Sequence, residues 1–112
     1  MTNFRFQEDI YIAEFYKYID ETYNKHYARS ESKEGLQTFE LISKDRLRGL
    51  HFALGSILKY GDRALLKNQT RSDLLKIAHY AILSLYCYDK REMEKNIAGP
   101  DQQQQFKTSE NS

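Results

Sequence analysis

Apolar side chains recur along this chain at spacings of three and four and not in alternation, a period that predicts helices throughout. In the first segment, Glu8 to Ala28, the residues Ile12, Phe15, Ile19, Tyr23 and His26 share one face. Glu8 and Asp9 suit the positive N-terminal end of a helix dipole, and Lys25 and Arg29 suit the other end. The stretch Arg29 to Gly35 (RSESKEG) is small, charged and polar, which predicts a loop, and a short helix from Leu36 to Ser43 follows. A third helix is expected over Lys44 to Leu65. Its apolar face is Leu47, Leu50, Leu54, Ile57 and Leu58, with Gly61 as a point of close approach or termination. After a turn at 67–70 (KNQT), a fourth helix runs to about Asn96. Thr70 followed by Asp73 resembles a capping arrangement, in which the hydroxyl accepts from an early backbone N–H.

The last helix carries more apolar surface than one face needs. Leu74, Leu75, Ile77, Ala78, Ala81, Ile82 and Leu85 form a wide stripe, while Leu83 and Cys87 lie roughly opposite. A helix that is apolar on two sides is usually buried on two sides, and in so small a chain a partner subunit is the simplest cover. The single proline, Pro100, leaves residues 1–98 without a proline break. From Gly99 the sequence GPDQQQQFKTSENS is polar and low in complexity, which predicts a disordered tail over 99–112. The fold class expected is therefore all-α: one domain over 1–98, a compact bundle of about four helices that forms a homo-oligomer. Within it, 8–28 is an N-terminal helical extension and 36–96 the core.

Composition narrows the function classes. Seventeen basic and sixteen acidic side chains nearly cancel, whereas a protein that grips a duplex through its phosphates carries a surplus of Lys and Arg. Nine tyrosines and six phenylalanines supply buried area that the modest apolar fraction lacks. One cysteine, Cys87, excludes an internal disulfide and every multi-cysteine zinc site. No apolar run reaches the roughly 18 residues a membrane span needs. The start, Met1 to Phe6, lacks a charged-then-apolar signal pattern, so the cytosol is the expected compartment.

Candidate chemistry concentrates on the third helix. At about 100° per residue, Arg48, Phe52, Gly55, Ser56, Lys59 and Arg63 fall within roughly one third of its circumference. Lys59 and Arg63 are one turn apart, so their heads can converge on one anion, with Arg offering a planar donor fork and Lys a compact charge. Gly55 and Ser56 remove bulk between them, and Phe52 is placed to stack on a base. The plainer reading of the same face is a solvated basic surface with one partly exposed aromatic. His26 could contact phosphate or carry a proton, or pack on its apolar side and cap the helix. His51 and His79 stand beside apolar residues and read as core or interface groups. The three histidines show no metal spacing, and no metal site or cofactor is assigned. Adjacent acids such as Asp20 and Glu21 do not face one another, and no G-x-x-x-x-G-K-[ST] loop occurs. Cys87 reads as a small buried hydrophobe. Tyr11, Tyr16, Tyr18, Tyr23 and Tyr27 crowd the first helix and suit a subunit or partner interface, or alternatively a stacking surface for bases.

His26-Tyr27, Thr38-Phe39-Glu40-Leu41-Ile42, Leu54-Gly55-Ser56-Ile57-Leu58-Lys59-Tyr60 with Arg63, and Asp73-Leu74-Leu75-Lys76-Ile77-Ala78 with Tyr80 follow one another in order. This order resembles a family of small tailed-phage proteins that carry HY, a short IE-x-hydrophobic helix, GN-x-x-KY-x-x-R and DL-x-K-A-x-x-Y. The family is largely of unassigned function, and one branch is described as a nucleotide kinase without a P-loop. The likeness spans about residues 26 to 90, and its strongest pieces are G-x-x-x-K-Y-x-x-R and DL-x-K. It implies a helical, oligomeric protein that handles nucleotides. Position by position it nominates His26, Tyr27, Gly55, Lys59, Tyr60, Arg63, Asp73 and Lys76. Ser56 stands where the family usually has Asn, Gly61-Asp62 replaces bulkier residues, and His79 takes a position that is often aromatic. Such drift bears on catalysis more than on binding, because phosphoryl transfer demands the tighter geometry.

Two roles follow from the resemblance. One is a binder that holds nucleotide phosphate on a basic helix face, with Lys59, Arg63 and Phe52 leading, and sequesters a nucleotide signal in the host cytoplasm. The other is a nucleoside monophosphate kinase that stabilises charge on the transferred group with positive side chains. A third role, from a different class, is a module that blocks or redirects a host protein through the tyrosine-rich first helix.

Overall fold

A computed structural model describes residues 2–24, 31–66 and 68–97, with the backbone alone over 31–35. It holds four helices, α1 (Glu8–Asn24), α2 (Glu31–Ile42), α3 (Arg46–Arg63) and α4 (Thr70–Ile97), and no strand among the described residues. The expected all-α, four-helix class is what the structure shows. Residues 25–28, where the first helix was expected to end, with His26 and Tyr27 among them, and the tail expected over 99–112 lie outside the described residues.

An antiparallel hairpin of α3 and α4 organises everything else. Arg46 meets Glu94 at one end, Gly49 lies against Cys87, Tyr60 stacks on Tyr80, and Arg63 meets Asp73 beside the connecting turn. Helix α3 starts two residues later than expected because Asp45 caps it. Its backbone is extended (φ −94°, ψ 112°) and its carboxylate accepts the Arg48 N–H at 3.1 Å.

Small residues decide which side of α3 faces α4. The buried positions are Gly49 and Ala53, joined in the core by Phe39 and Cys87 and flanked by Leu50, Tyr80 and Leu83. A Cβ on Gly49 would sit 2.8 Å from Cys87 Sγ and 2.8 Å from Ser43 Cβ, so this close approach exists only because the residue is glycine. The close-approach position is thus Gly49 and not Gly61, which has nothing within 4 Å and is passed by the helix on its way to Arg63. The leucine face expected to pack is likewise corrected, since Leu47, Leu54 and Leu58 are exposed. Periodicity found an apolar side, but helix α3 has two, and backbone proximity selects the one with small side chains.

Three further expectations change. The segment 29–35 is not all loop, because α2 begins at Glu31; of its early residues only Gly35 opposes helix strongly, by about 1 kcal/mol. The second helix therefore starts before residue 36. On α1 the inward positions include Phe15, Tyr18 and Ile19, while Ile12 and Tyr23 are exposed and no residue is fully buried. Phe15 and Tyr18 meet His79 of α4 edge to face, at 6.4 and 6.2 Å between ring centres, and Arg71 forks onto Glu14. Finally, Thr70 does not accept from its own helix. Its hydroxyl donates to the Ala64 carbonyl and ties the turn, and the Asp73 N–H bonds back to Gln69 O at 2.8 Å.

Candidate ligand site at the loop end of the hairpin

The residues that build this site come from two helices in register. On α3, Lys59, Tyr60 and Arg63 span one turn. On α4, Asp73, Lys76 and Tyr80 recur at three and four, so they share one face and point at α3.

At the centre is the ring of Tyr60. Tyr80 stacks on it at 6.0 Å and 17° between planes, an offset aromatic pair. Three cations then crowd the same ring. Arg63 Cζ is 4.7 Å from the ring centre, Lys76 Nζ 5.1 Å and Lys59 Nζ 5.4 Å, all within cation–π reach. Arg63 and Lys59 share the ring as expected of residues one turn apart, and Lys76 joins them from the opposite helix.

One carboxylate answers this charge. Asp73 is 1% exposed and accepts a two-pronged fork from Arg63, Nε to Oδ2 at 3.2 Å and Nη2 to Oδ1 at 3.0 Å. Such a planar pair fixes the guanidinium in orientation as well as charge. Arg63 is therefore a cation held in place by a buried acid, and not a loose surface charge. Three cations against one anion leave the cluster formally at +2.

Tyr80 continues the network inward. Burial pushes its phenol above the ordinary value, the Tyr60 ring beside it adds to that, and a hydrogen bond with Ser56 opposes both. Phe52 meets Tyr80 edge to face at 6.1 Å and packs on Phe39 at 6.2 Å, so it links the site to the core while keeping an edge in solvent. Gly55 lies open on the helix surface, with nothing within 4 Å of a Cβ placed there.

Of the nominated residues, the structure brings together Lys59, Tyr60, Arg63, Asp73 and Lys76, and Phe52 reaches them through Tyr80. Gly55 is on the same helix but touches none of them, and His26 and Tyr27 lie outside the described residues. Ser56 was singled out only for its small size and Tyr80 only as part of the family-like order, although Tyr80 follows Lys76 by four and Asp73 by seven, a spacing that already set all three on one face. Elsewhere, His79 is buried against α1 and its pKa is pushed down by that burial, whereas His51, expected in a core or interface, is exposed. Cys87 is fully buried, which pushes its thiol pKa up, against a lowering from nearby Arg46.

A helical hairpin with an ion-paired, cation-ringed tyrosine stack is the class of protein that fold and site define. Residues 21–82 match the DUF3310 family, a family of proteins of unknown function, and the chain belongs to it. The match ends just beyond Tyr80, so it contains the whole cluster. No curated protein and no solved structure matches the chain.

Proposed function

We propose that this chain binds a nucleotide or nucleotide-derived small molecule, with phosphate held at the loop end of the α3–α4 hairpin. The observation that carries the reading is the three cationic heads gathered within 5.4 Å of one tyrosine ring centre, with the buried Asp73 carboxylate paired to one of them. Cation–π contact with an exposed ring is worth about 0.5–1 kcal/mol, which is little return for holding like charges together. An anion seated among them turns that repulsion into attraction. Lys59 and Lys76 supply the contacts, and Asp73 holds Arg63 with its fork oriented. The exposed edge of Phe52, next to open Gly55, offers a place for the base.

The resemblance to tailed-phage proteins supports a reading in which a homo-oligomer in a host cytoplasm sequesters a nucleotide signal. Phosphoryl transfer between nucleotides is the alternative; among the described residues, the carboxylate beside the cations, Asp73, is engaged by Arg63. A second reading rests on α1, where Tyr11, Tyr16 and Tyr23 are exposed together with Ile10 and Ile12. Such a surface suits a host protein partner.

Thermal melting with a panel of nucleoside mono-, di-, tri- and cyclic phosphates tests the proposal, because a ligand that favours the folded state raises Tm. A phosphate-bearing nucleotide should raise Tm, and the rise should vanish in Lys59→Ala/Lys76→Ala, whose own melting stays near that of the parent. If no nucleotide moves Tm, the site is structural and the α1 reading takes its place. Product analysis after incubation with ATP and deoxynucleoside monophosphates separates transfer from binding.

A further inference from the structure

Helices α3 and α4 each have a second apolar side that the other described helices leave open. On α3, Leu47, His51, Leu54, Leu58 and Gly61 follow one another at spacings of four and three, and all five are exposed, Leu58 at 74%. On α4, Leu74, Ala78, Ala81, Leu85 and Tyr88 repeat the same spacing, with Leu74, Leu85 and Tyr88 about half exposed or more. This is the 3.5-residue repeat of helices that pack side by side.

The two seams lie on one side of the hairpin. At about 100° per residue, the α3 seam is turned well past a right angle from the buried line of Gly49, Ala53 and Tyr60. The α4 seam is turned by a similar angle, in the same rotational sense, from the line of Asp73, Tyr80 and Cys87. Because the helices run antiparallel, equal turns of the same sense bring both seams to the same flank. Helices α1 and α2 occupy the other flank, where Phe15 and Tyr18 reach His79 and where Phe39 reaches Phe52. Lys59 and Arg63 turn toward that covered flank too.

We infer that this open flank is the interface with a second copy of the chain, the two hairpins closing into a four-helix bundle. Five leucines alone leave on the order of 500 Å² of apolar surface in water, already within the range of the largest patch on an ordinary monomer. Ala78, Ala81, Tyr88 and, at the hairpin's end, the exposed Leu65 extend the face toward the roughly 800 Å² per partner that a stable interface takes. The pattern also fits itself. Leucine knobs at 47, 54, 58, 74 and 85 alternate with small residues at 61, 78 and 81 that can receive them, and two layers with one repeat pack at a shallow crossing angle.

Light scattering on the eluting full-length chain at high micromolar concentration tests the inference. The parent should have twice the chain mass. Leu58→Glu/Leu74→Glu should have one chain mass with its helical circular dichroism retained, since both side chains are exposed in the single chain. Leu58→Gln serves if the double variant fails to fold, and should shift the mass toward the monomer. Tyr16→Glu, on α1, should remain dimeric. A monomeric parent, a dimer that survives both leucine changes, or dissociation by Tyr16→Glu alone each overturns it. None of these readouts involves nucleotide, so the site proposed above stands or falls separately.

Discussion

The two ends of the α3–α4 hairpin use the same parts and obtain different structures from them. At the loop end, Arg63 of α3 pairs with Asp73 of α4 beside Tyr60; at the open end, Arg46 of α3 pairs with Glu94 of α4 beside Tyr86. Each tyrosine also has a lysine over its ring, Lys76 in one case and Lys90 in the other. The loop-end pair is a two-pronged fork onto a carboxylate 1% exposed, whereas the open-end pair is a single 3.2 Å contact onto one 57% exposed. Burial makes the difference, because an ion pair in water is nearly indifferent to its partner and a buried carboxylate is not. Arg63→Ala should therefore cost about 3 kcal/mol, the low end for a broken buried pair, since Arg63 itself is 29% exposed and can be replaced in part by water. Glu94→Ala should change stability by no more than about 0.5 kcal/mol. Urea unfolding of both variants measures the contrast, and equal losses would break it.

What the open end lacks in charge pairing it gains in proximity. Gly49 brings α3 against Cys87 and the Ser43 turn, and the 2.9 Å separation of a Gly49 Cβ from the backbone at Ser43 Cα leaves no side chain free to yield. Gly49→Ala should accordingly destabilise by about 1–3 kcal/mol, the usual range for overpacking. Toward the loop end, Gly55 stands in open helix, and Gly55→Ala should stabilise by roughly 0.5–1 kcal/mol because alanine loses less backbone entropy. Opposite signs from one substitution on one helix would sharpen the comparison. A shared sign would mean the helices are not in contact at Gly49.

How far the sequence carried this picture depended on which property it encoded. Helix number and type were legible, because a 3.6-residue period runs through most of the chain. The caps were partly legible. Thr70 resembled an N-cap, but its hydroxyl is drawn to the Ala64 carbonyl across the turn, a tertiary choice that local pattern does not contain. The packing side of α3 was misread for a related reason. Leu47, Leu54 and Leu58 are strongly hydrophobic and yet exposed, whereas contact with α4 is set by Gly49 and Ala53, whose value lies in their small size. Within the site, Lys59 and Arg63 were placed together by helical spacing alone. Their pairing with Lys76 and Asp73 required knowing that α4 runs antiparallel in that register, which neither spacing nor the likeness to a family contained. Asp73 was nominated without a role; its burial and its grip on Arg63 are visible only in three dimensions.

The mildest test concerns the attachment of α1, whose ion pair and ring contacts fall on the loop half of α4, at Arg71 and His79. His79 is packed between Phe15 and Tyr18, and burial lowers its pKa below the model-peptide value of 6.5. In the unfolded chain it takes up a proton near its ordinary value, while in the fold it resists protonation until a lower pH. Stability is therefore full above about pH 6.5 and is lost as pH falls from there toward the depressed folded value. The other group touching α1 works in a different window. Arg71, chiefly through its hydrogen bonds, holds Glu14 below 4.5, so that contribution is present above this value and is lost only in more acid solution. Melting between pH 7.5 and 5.5 thus isolates the histidine. Tm should decline across that interval in the parent, and His79→Phe, which keeps a ring between Phe15 and Tyr18, should flatten the decline without lowering Tm at pH 7.5. A decline of the same slope in the variant would assign the pH sensitivity to a group other than His79.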